Sequence, residues 1–233
     1  MAQRGKKYIA IRKKKPTGTL SLEEGIKKVK ELSYSAFKGT VEFHLYISLP
    51  KDTDPKSLKG SITLPHSTST KSVKIAVFTS PDNEKAAVDA GADFTSFEKL
   101  VKDVNAGKVE FDVAIATPDV MPKIAALGKV LGPKGLMPNP KTGTVTTDVA
   151  NAVNEYRKGK MTFKSDDAGV FHFAVGSIEL DEAKLMENIK ACVDAASAIV
   201  GKRVTSLTKS AFLAPSMGPS VRVDVKSLDV AVE

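Results

Sequence analysis

The chain alternates apolar and polar residues in two regions more than a hundred positions apart, and this separation limits most strongly how it can fold. In "VEFHLYISL", Val41, Phe43, Leu45, Ile47 and Leu49 alternate with Glu42, His44, Tyr46 and Ser48. One face of such a strand enters a core and the other stays polar. The same period returns after Gly159 in "MTFKS" and "VFHFAVG", separated by the turn-rich "DDAG". "SLTKSAFLA" and "SVRVDV" add two strands around the turn "PSMGP". Residues 1–65 thus offer one helix and two or three strands, and residues 160–233 one long helix and about four strands. Neither set closes a core of its own.

Between them the pattern is different. "SVKIAVF" reads as a strand, Asp82 to Ala90 and Ser96 to Val104 as helices, and "FDVAIAT" as a near-continuous apolar strand. Pro118 opens a helix running toward Leu127 or Val130, and "TTDVANAVNEYRKGK" supplies one more. Such alternation predicts a parallel or mixed sheet covered by helices. The block is bounded by the breakers "LPHSTST" and "RKGK". The expected fold class is therefore α/β (α+β) with two domains. One is built from residues 1–65 plus 160–233, and residues 66–159 are inserted into it. Three small beads in a row would each bury too little surface.

The flanking helices carry their own stop and start signals. In "SLEEGIKKVKELSY" the apolar residues Leu22, Ile26 and Val29 share one stripe, and Ser21 with Glu24 forms a capping-box pattern. Asp181 to Val200 is apolar along Leu185, Ile189, Val193, Ala196 and Val200, with Gly201 as its terminator. The single cysteine, Cys192, falls inside that pattern and reads as a small buried side chain. No disulfide framework or cysteine-rich metal site follows from one cysteine.

Charge is unevenly spread. The net charge is +8, and residues 1–65 hold 14 Lys/Arg against 6 Asp/Glu. This concentration fits either a polyanion partner or a solvated basic tail. No run of eighteen apolar residues marks a membrane span, and the basic start "MAQRGKKYIAIRKKK" lacks the apolar centre of a secretory signal. The expectation is a cytoplasmic chain.

"LGKVLGPKGLMPNPKTGTV", Leu127 to Val145, packs four glycines and three prolines into nineteen residues and invites a nucleotide reading. That reading fails. Five residues after Gly128 stands Pro133, and five after Gly135 stands Pro140, so no phosphate loop is present. Gly132 and Gly135 do not make a dinucleotide fingerprint, and the stretch follows a helix. Prolines also remove the amide donors that an anion nest requires. Catalysis fares no better: His44, His66 and His172 lack metal-ligand spacing, and Asp166 and Asp167 read as turn formers. No enzyme activity, metal or cofactor is expected.

RNA binding has better support. His44 and His172 sit on polar strand faces in the two halves assigned to one domain; they either line a shared surface or are surface histidines bonded to neighbours. Phe37, Lys38, Gly39 and Thr40 gather an aromatic face, a cation, a small residue and a hydroxyl at a helix-to-strand connection. Phe37 equally suits a core. Met217 and Gly218 occupy a tight turn between Pro215 and Pro219, where glycine permits close approach.

Four motifs in order, "FKGTVEFHLYI", "KGSITLPH", "EFDVAIATPDVM" extended to "PKIAALGKVLGPKGLMPNPKTGTV", and "SMGPSVRV", resemble the ribosomal protein L-one family over nearly the whole chain. The resemblance implies a split open βαβ sandwich formed by both termini, which is the main RNA-binding part, and an inserted three-layer α/β domain. It implies large-subunit ribosomal RNA of the mobile stalk beside the tRNA exit site as partner, assistance in tRNA release, and repression of translation through the protein's own mRNA. It also implies a free protein that is monomeric and works on the ribosome. Carried over by position, the RNA-binding residues are Phe37, Lys38, Thr40, Glu42, Lys59, His172, Ser216, Met217 and Gly218. Three departures stand out. Ser216 replaces a common Thr, Lys59 lies where relatives carry an Arg with its bidentate fork, and Ser177 replaces a frequent Lys. After "LPH" the family is usually glycine-rich, so "STST" predicts a stiffer hinge. Lys129, Lys134 and Lys141 are available for secondary RNA contacts. Two rival readings remain: an RNA-binding regulator acting mainly off the ribosome, and an α/β enzyme using a nucleotide.

Overall fold

The computed structural model describes residues 5–48, 54, 55, 58–66 and 73–225 of the chain; Leu49, Lys56, Ser57 and the "STST" of the expected hinge lie outside them. In order the elements are α1 (Lys6–Arg12), α2 (Leu22–Leu32), β1 (Thr40–Ile47), β2 (Lys59–Thr63), β3 (Ile75–Phe78), α3 (Pro81–Asp89), α4 (Phe97–Asn105), β4 (Val113–Ala116) and α5 (Met121–Ala125). They continue with α6 (Gly128–Leu131), α7 (Val149–Arg157), β5 (Lys160–Lys164), β6 (Val170–Ser177), α8 (Glu182–Val200), α9 (Val204–Leu207), β7 (Thr208–Pro215) and β8 (Val221–Val223). The fold class is mixed α/β, as the periodicity requires. The chain resolves into two compact units, Met1–Thr70 with Thr162–Glu233, and Lys71–Met161.

In the first unit, β1 lies inside a four-stranded sheet ordered β6-β1-β7-β8, antiparallel at each pairing. Its alternation is realised residue by residue: Val41, Phe43, Leu45 and Ile47 are buried, and the residues between them are half-buried on the other face. Phe171 and Phe173 of β6 join the same inner face, where Phe173 stacks on Phe43 at 6.3 Å and meets the tilted ring of Phe163 of β5 at 4.7 Å. Helices α2 and α8 cover this face. Ser21 and Glu24 form the capping box at the start of α2, and its apolar stripe Leu22, Ile26, Val29 and Leu32 is buried. Gly201 ends α8 at φ 70°, a backbone setting that glycine adopts without strain. Cys192 is fully buried on α8, and burial pushes its thiol up to about 12.

One α8 side chain joins segments distant in sequence. Asn188 is fully buried; its amide donates to Val175 O (2.7 Å) and His66 O (3.0 Å) and accepts from His66 N–H (3.1 Å). A buried amide satisfied on both sides fixes the path of the strand end it holds. Strands β2 and β5 form a separate two-stranded sheet, and β2 packs on α8.

The second unit centres on the parallel pair β3–β4, extended by single bridges from Ala76 to Phe94 and from Ala116 to Val145. Both faces are covered. Ala76, Phe78, Ala114 and Ala116 pack with Leu100, Val104, Ile124, Leu127 and Leu131, while Ile75, Val77 and Ile115 pack with Ala87, Val149, Val153 and Tyr156. Four-residue strands buried on both faces read as continuous apolar runs, which is the pattern of "KIAVF" and "DVAIA".

Two local expectations change. The single helix expected from Pro118 is a 3₁₀ turn, Pro118–Val120, followed by α5 and α6, with Leu127 N–H turning to the tighter Ile124 O bond just before Gly128. Gly128, a weak helix former, then begins the short α6. The basic start of the chain is also not all tail, because Lys6–Arg12 is a helix without buried residues, and its Tyr8 meets Tyr34 edge to face at 6.4 Å.

Candidate nucleic-acid interface

Three connections converge at one end of the four-stranded sheet: residues 33–39 before β1, 178–181 after β6, and 216–220 after β7. Side-chain and main-chain bonds lock them. Thr40 N–H donates to Ser216 Oγ (3.0 Å), Ser216 Oγ donates to Thr40 O (3.1 Å), and Ser216 N–H donates to the same oxygen (2.9 Å). Ile178 N–H donates to Gly39 O (2.9 Å). The hydroxyl shared by Ser and Thr is what this lock uses, so Ser216 preserves it.

Gly218 is needed for space. A Cβ there would stand 2.7 Å from Pro215 Cγ and 2.8 Å from Leu32 O, so only glycine lets the turn lie against the end of α2. Beside it Met217 is 44% exposed, and Phe37 is 58% exposed in the neighbouring connection. Phe37 is therefore not a core residue. An exposed aromatic ring such as Phe37 offers a flat face on which a base could stack. Lys38 pairs with Glu179 (2.8 Å), and Lys30 Nζ donates to Leu180 O, which ties the second connection to α2. The Lys38 pair is solvent-exposed and contributes little to stability.

The same sheet turns its polar face outward. Register places His172, His44, Phe212 and Arg222 in one row across β6, β1, β7 and β8. His44 and His172 meet directly, Nδ1 to Nδ1 at 2.8 Å. His44 Nε2 lies 3.6 Å from Glu42, and His172 Nε2 lies 3.5 Å from Asp166. Desolvation, then the neighbouring His172, holds His44 below the usual imidazole value, with Glu42 acting in the opposite direction. Asp166 is a turn former, accepting from Val170 and Ala168 N–H groups, and the Val170 bond is the main cause that lowers its carboxyl. Lys209 lies 5.0 Å over the Tyr46 ring on the same strands' edge of the face.

Eight of the nine sequence-derived candidates, Phe37, Lys38, Thr40, Glu42, His172, Ser216, Met217 and Gly218, thus belong to one sheet and its end connections. Lys59 does not; it is exposed at the start of β2 in the other sheet. Ser177 is buried, paired with Thr40, and its hydroxyl accepts from Glu179 N–H (3.4 Å), so it serves the turn. Sequence reasoning placed His44 and His172 on a shared surface or against neighbours, and both hold; it missed Phe212 and Arg222. The alternation of Ser210, Phe212 and Ala214 with Ala211 and Leu213 marked their face but not their neighbours. The Leu127–Val145 stretch forms an irregular connection, with positive φ at Gly135 and Gly143, a 3₁₀ turn at Pro140–Thr142, and Thr144 Oγ1 accepting from Asn139 N–H at 2.7 Å. Lys129 and Lys134 are exposed on it.

Among the described residues no group of three His, Cys, Asp or Glu side chains could hold a metal ion, and no helix is long and apolar enough to cross a membrane. The profile of the ribosomal protein L1p/L10e family matches residues 26–219. The large ribosomal subunit protein uL1 of Prochlorococcus marinus strain MIT 9515 is 41% identical, over 98% of this chain and 97% of its own. Those of Fervidobacterium nodosum and Kosmotoga olearia are 41% and 38% identical, over 98% and 96% of this chain. By class, then, the chain is a ribosomal protein. The chain belongs to the ribosomal protein L1p/L10e family.

Proposed function

We propose that the first unit is the RNA-binding domain of a structural constituent of the large ribosomal subunit, and that it recognises folded ribosomal RNA by shape. The observation that carries this reading is the joining of three distant connections into one rigid end that holds Phe37 and Met217 exposed. The names of the relatives, all large-subunit proteins, support the subunit. The preformed ridge offers apolar side chains to bases and riboses, Thr40 as a hydroxyl, and Glu42 as an acceptor for 2′-hydroxyls. The RNA is the stalk beside the tRNA exit site, where the protein assists tRNA release. A similar fold in its own mRNA would present the same surface, and binding there represses translation.

Met217→Asp tests the ridge. It should weaken binding to large-subunit ribosomal RNA by more than about tenfold, the loss of one well-placed contact, without lowering the melting temperature. Unchanged affinity in a filter-binding titration removes the turn from the site. Affinity should also fall with salt by roughly 0.7–0.9 log units per log unit for each phosphate contacted. Footprints on the ribosomal RNA and on the protein's own mRNA decide whether both share the surface.

A further inference from the structure

Four titratable side chains form a line across the outer face of the sheet: Asp166, His172, His44 and Glu42. The two imidazoles meet through like atoms, Nδ1 to Nδ1, at 2.8 Å. Such a contact holds only when one nitrogen carries a proton and the other a lone pair. Each outer nitrogen, Nε2, looks at a carboxylate, Asp166 at 3.5 Å from His172 and Glu42 at 3.6 Å from His44.

These constraints count protons. If both rings are neutral, the ring that donates from Nδ1 has a bare Nε2, and that lone pair faces a carboxylate. One added proton removes this conflict: the donor becomes an imidazolium, charge-assisted toward its partner ring, and both outer nitrogens present N–H groups to the carboxylates. A second added proton puts hydrogen on both facing nitrogens and drives the rings apart. The line is thus complete with one extra proton. Against this, partial burial of His44 and the closeness of the second ring oppose charge in the free protein. The remaining neighbours do not decide the matter, since Phe212 of β7 faces His44 without charge, Arg222 stands beyond it on β8, and Lys209 lies on Tyr46.

We propose that the His44–His172 pair is a proton-uptake subsite, and that RNA bound across this face draws one proton into it. The inference rests on the RNA-binding reading above. An approaching phosphate backbone adds negative potential beside the pair, which favours the imidazolium. The proton comes from solvent, and no covalent bond changes. His44 is then a positioning residue that orients His172 through the Nδ1–Nδ1 contact.

The test is calorimetric titration of the whole protein with transcribed large-subunit ribosomal RNA at pH 7, in two buffers of different ionisation enthalpy, together with affinities between pH 8 and pH 6. The expected result is a buffer-dependent heat corresponding to about one proton, and affinity that rises by up to about tenfold per pH unit as pH falls. In His44→Phe, and in His44→Ala should the first be poorly folded, both the pH slope and the buffer dependence disappear. Binding with no pH slope in the wild type overturns the inference and leaves the RNA-binding reading standing. A slope that persists unchanged in both variants places the proton elsewhere and overturns it as well. No binding at any pH removes the RNA-binding reading, and this inference with it.

Discussion

The two units differ in what their sheets leave uncovered. In the second unit β3 and β4 are parallel and have helices on both faces, so every side chain of β3 is buried. In the first unit the helices cover one face, and the other presents a row of imidazole, phenyl and guanidinium groups to solvent. A surface is available for recognition only where the architecture declines to cover it. The difference also appears at the sheet ends: in the first unit three connections are hydrogen-bonded into a ridge with an apolar side chain exposed on two of them.

The largest test of this contrast is Phe173→Ala. Phe173 is buried among Phe43, Phe163 and Phe171, and truncation should cost ~3–5 kcal/mol in the first unit. Urea unfolding followed by amide exchange should show this loss in β1 and β6 while β3 and β4 keep their protection; equal losses in all four strands would merge the units into one cooperative block. Next is Asn188→Ala, which strips His66 and Val175 of buried partners. It should cost ~2–4 kcal/mol in the same unit and also loosen the chain around His66, read as faster proteolysis near the inserted segment. The smallest effect concerns pH. Since His44 is held below its ordinary value, the folded first unit binds fewer protons than the unfolded chain once pH drops below the unfolded value. The His44 contribution should therefore decline as pH falls through 6.5 and stop changing below the folded value; a thermal midpoint that rises on acidification over that window contradicts the sign.

Much of the architecture was legible in local patterns. The alternation from Val41 to Ile47, the Ser21–Glu24 box and Gly201 each act through neighbours a few residues away, so the sequence displays their cause. The candidate site was legible only in part. Thr40 and Ser216 are 176 positions apart, and nothing local to either announces their bonds. The row joining His172, His44, Phe212 and Arg222 depends on strand register, which tertiary packing sets. The exposure of Phe37 likewise depends on what packs against its connection. Where the family resemblance supplied residues, the structure sorts them: it gathers eight around one sheet and leaves Lys59 on another.

The central position of β1 has a consequence for how the protein is made. Its ladder neighbours, residues 170–177 and 208–215, leave the ribosome long after it does. At translation rates of ~5–20 residues per second, β1 waits on the order of ten seconds with Val41, Phe43, Leu45 and Ile47 unpaired, while the intervening unit has all its own strands at hand. A nascent chain stalled in that interval displays a finished insert beside an adhesive strand, which makes it a substrate for holding chaperones and for quality-control proteases.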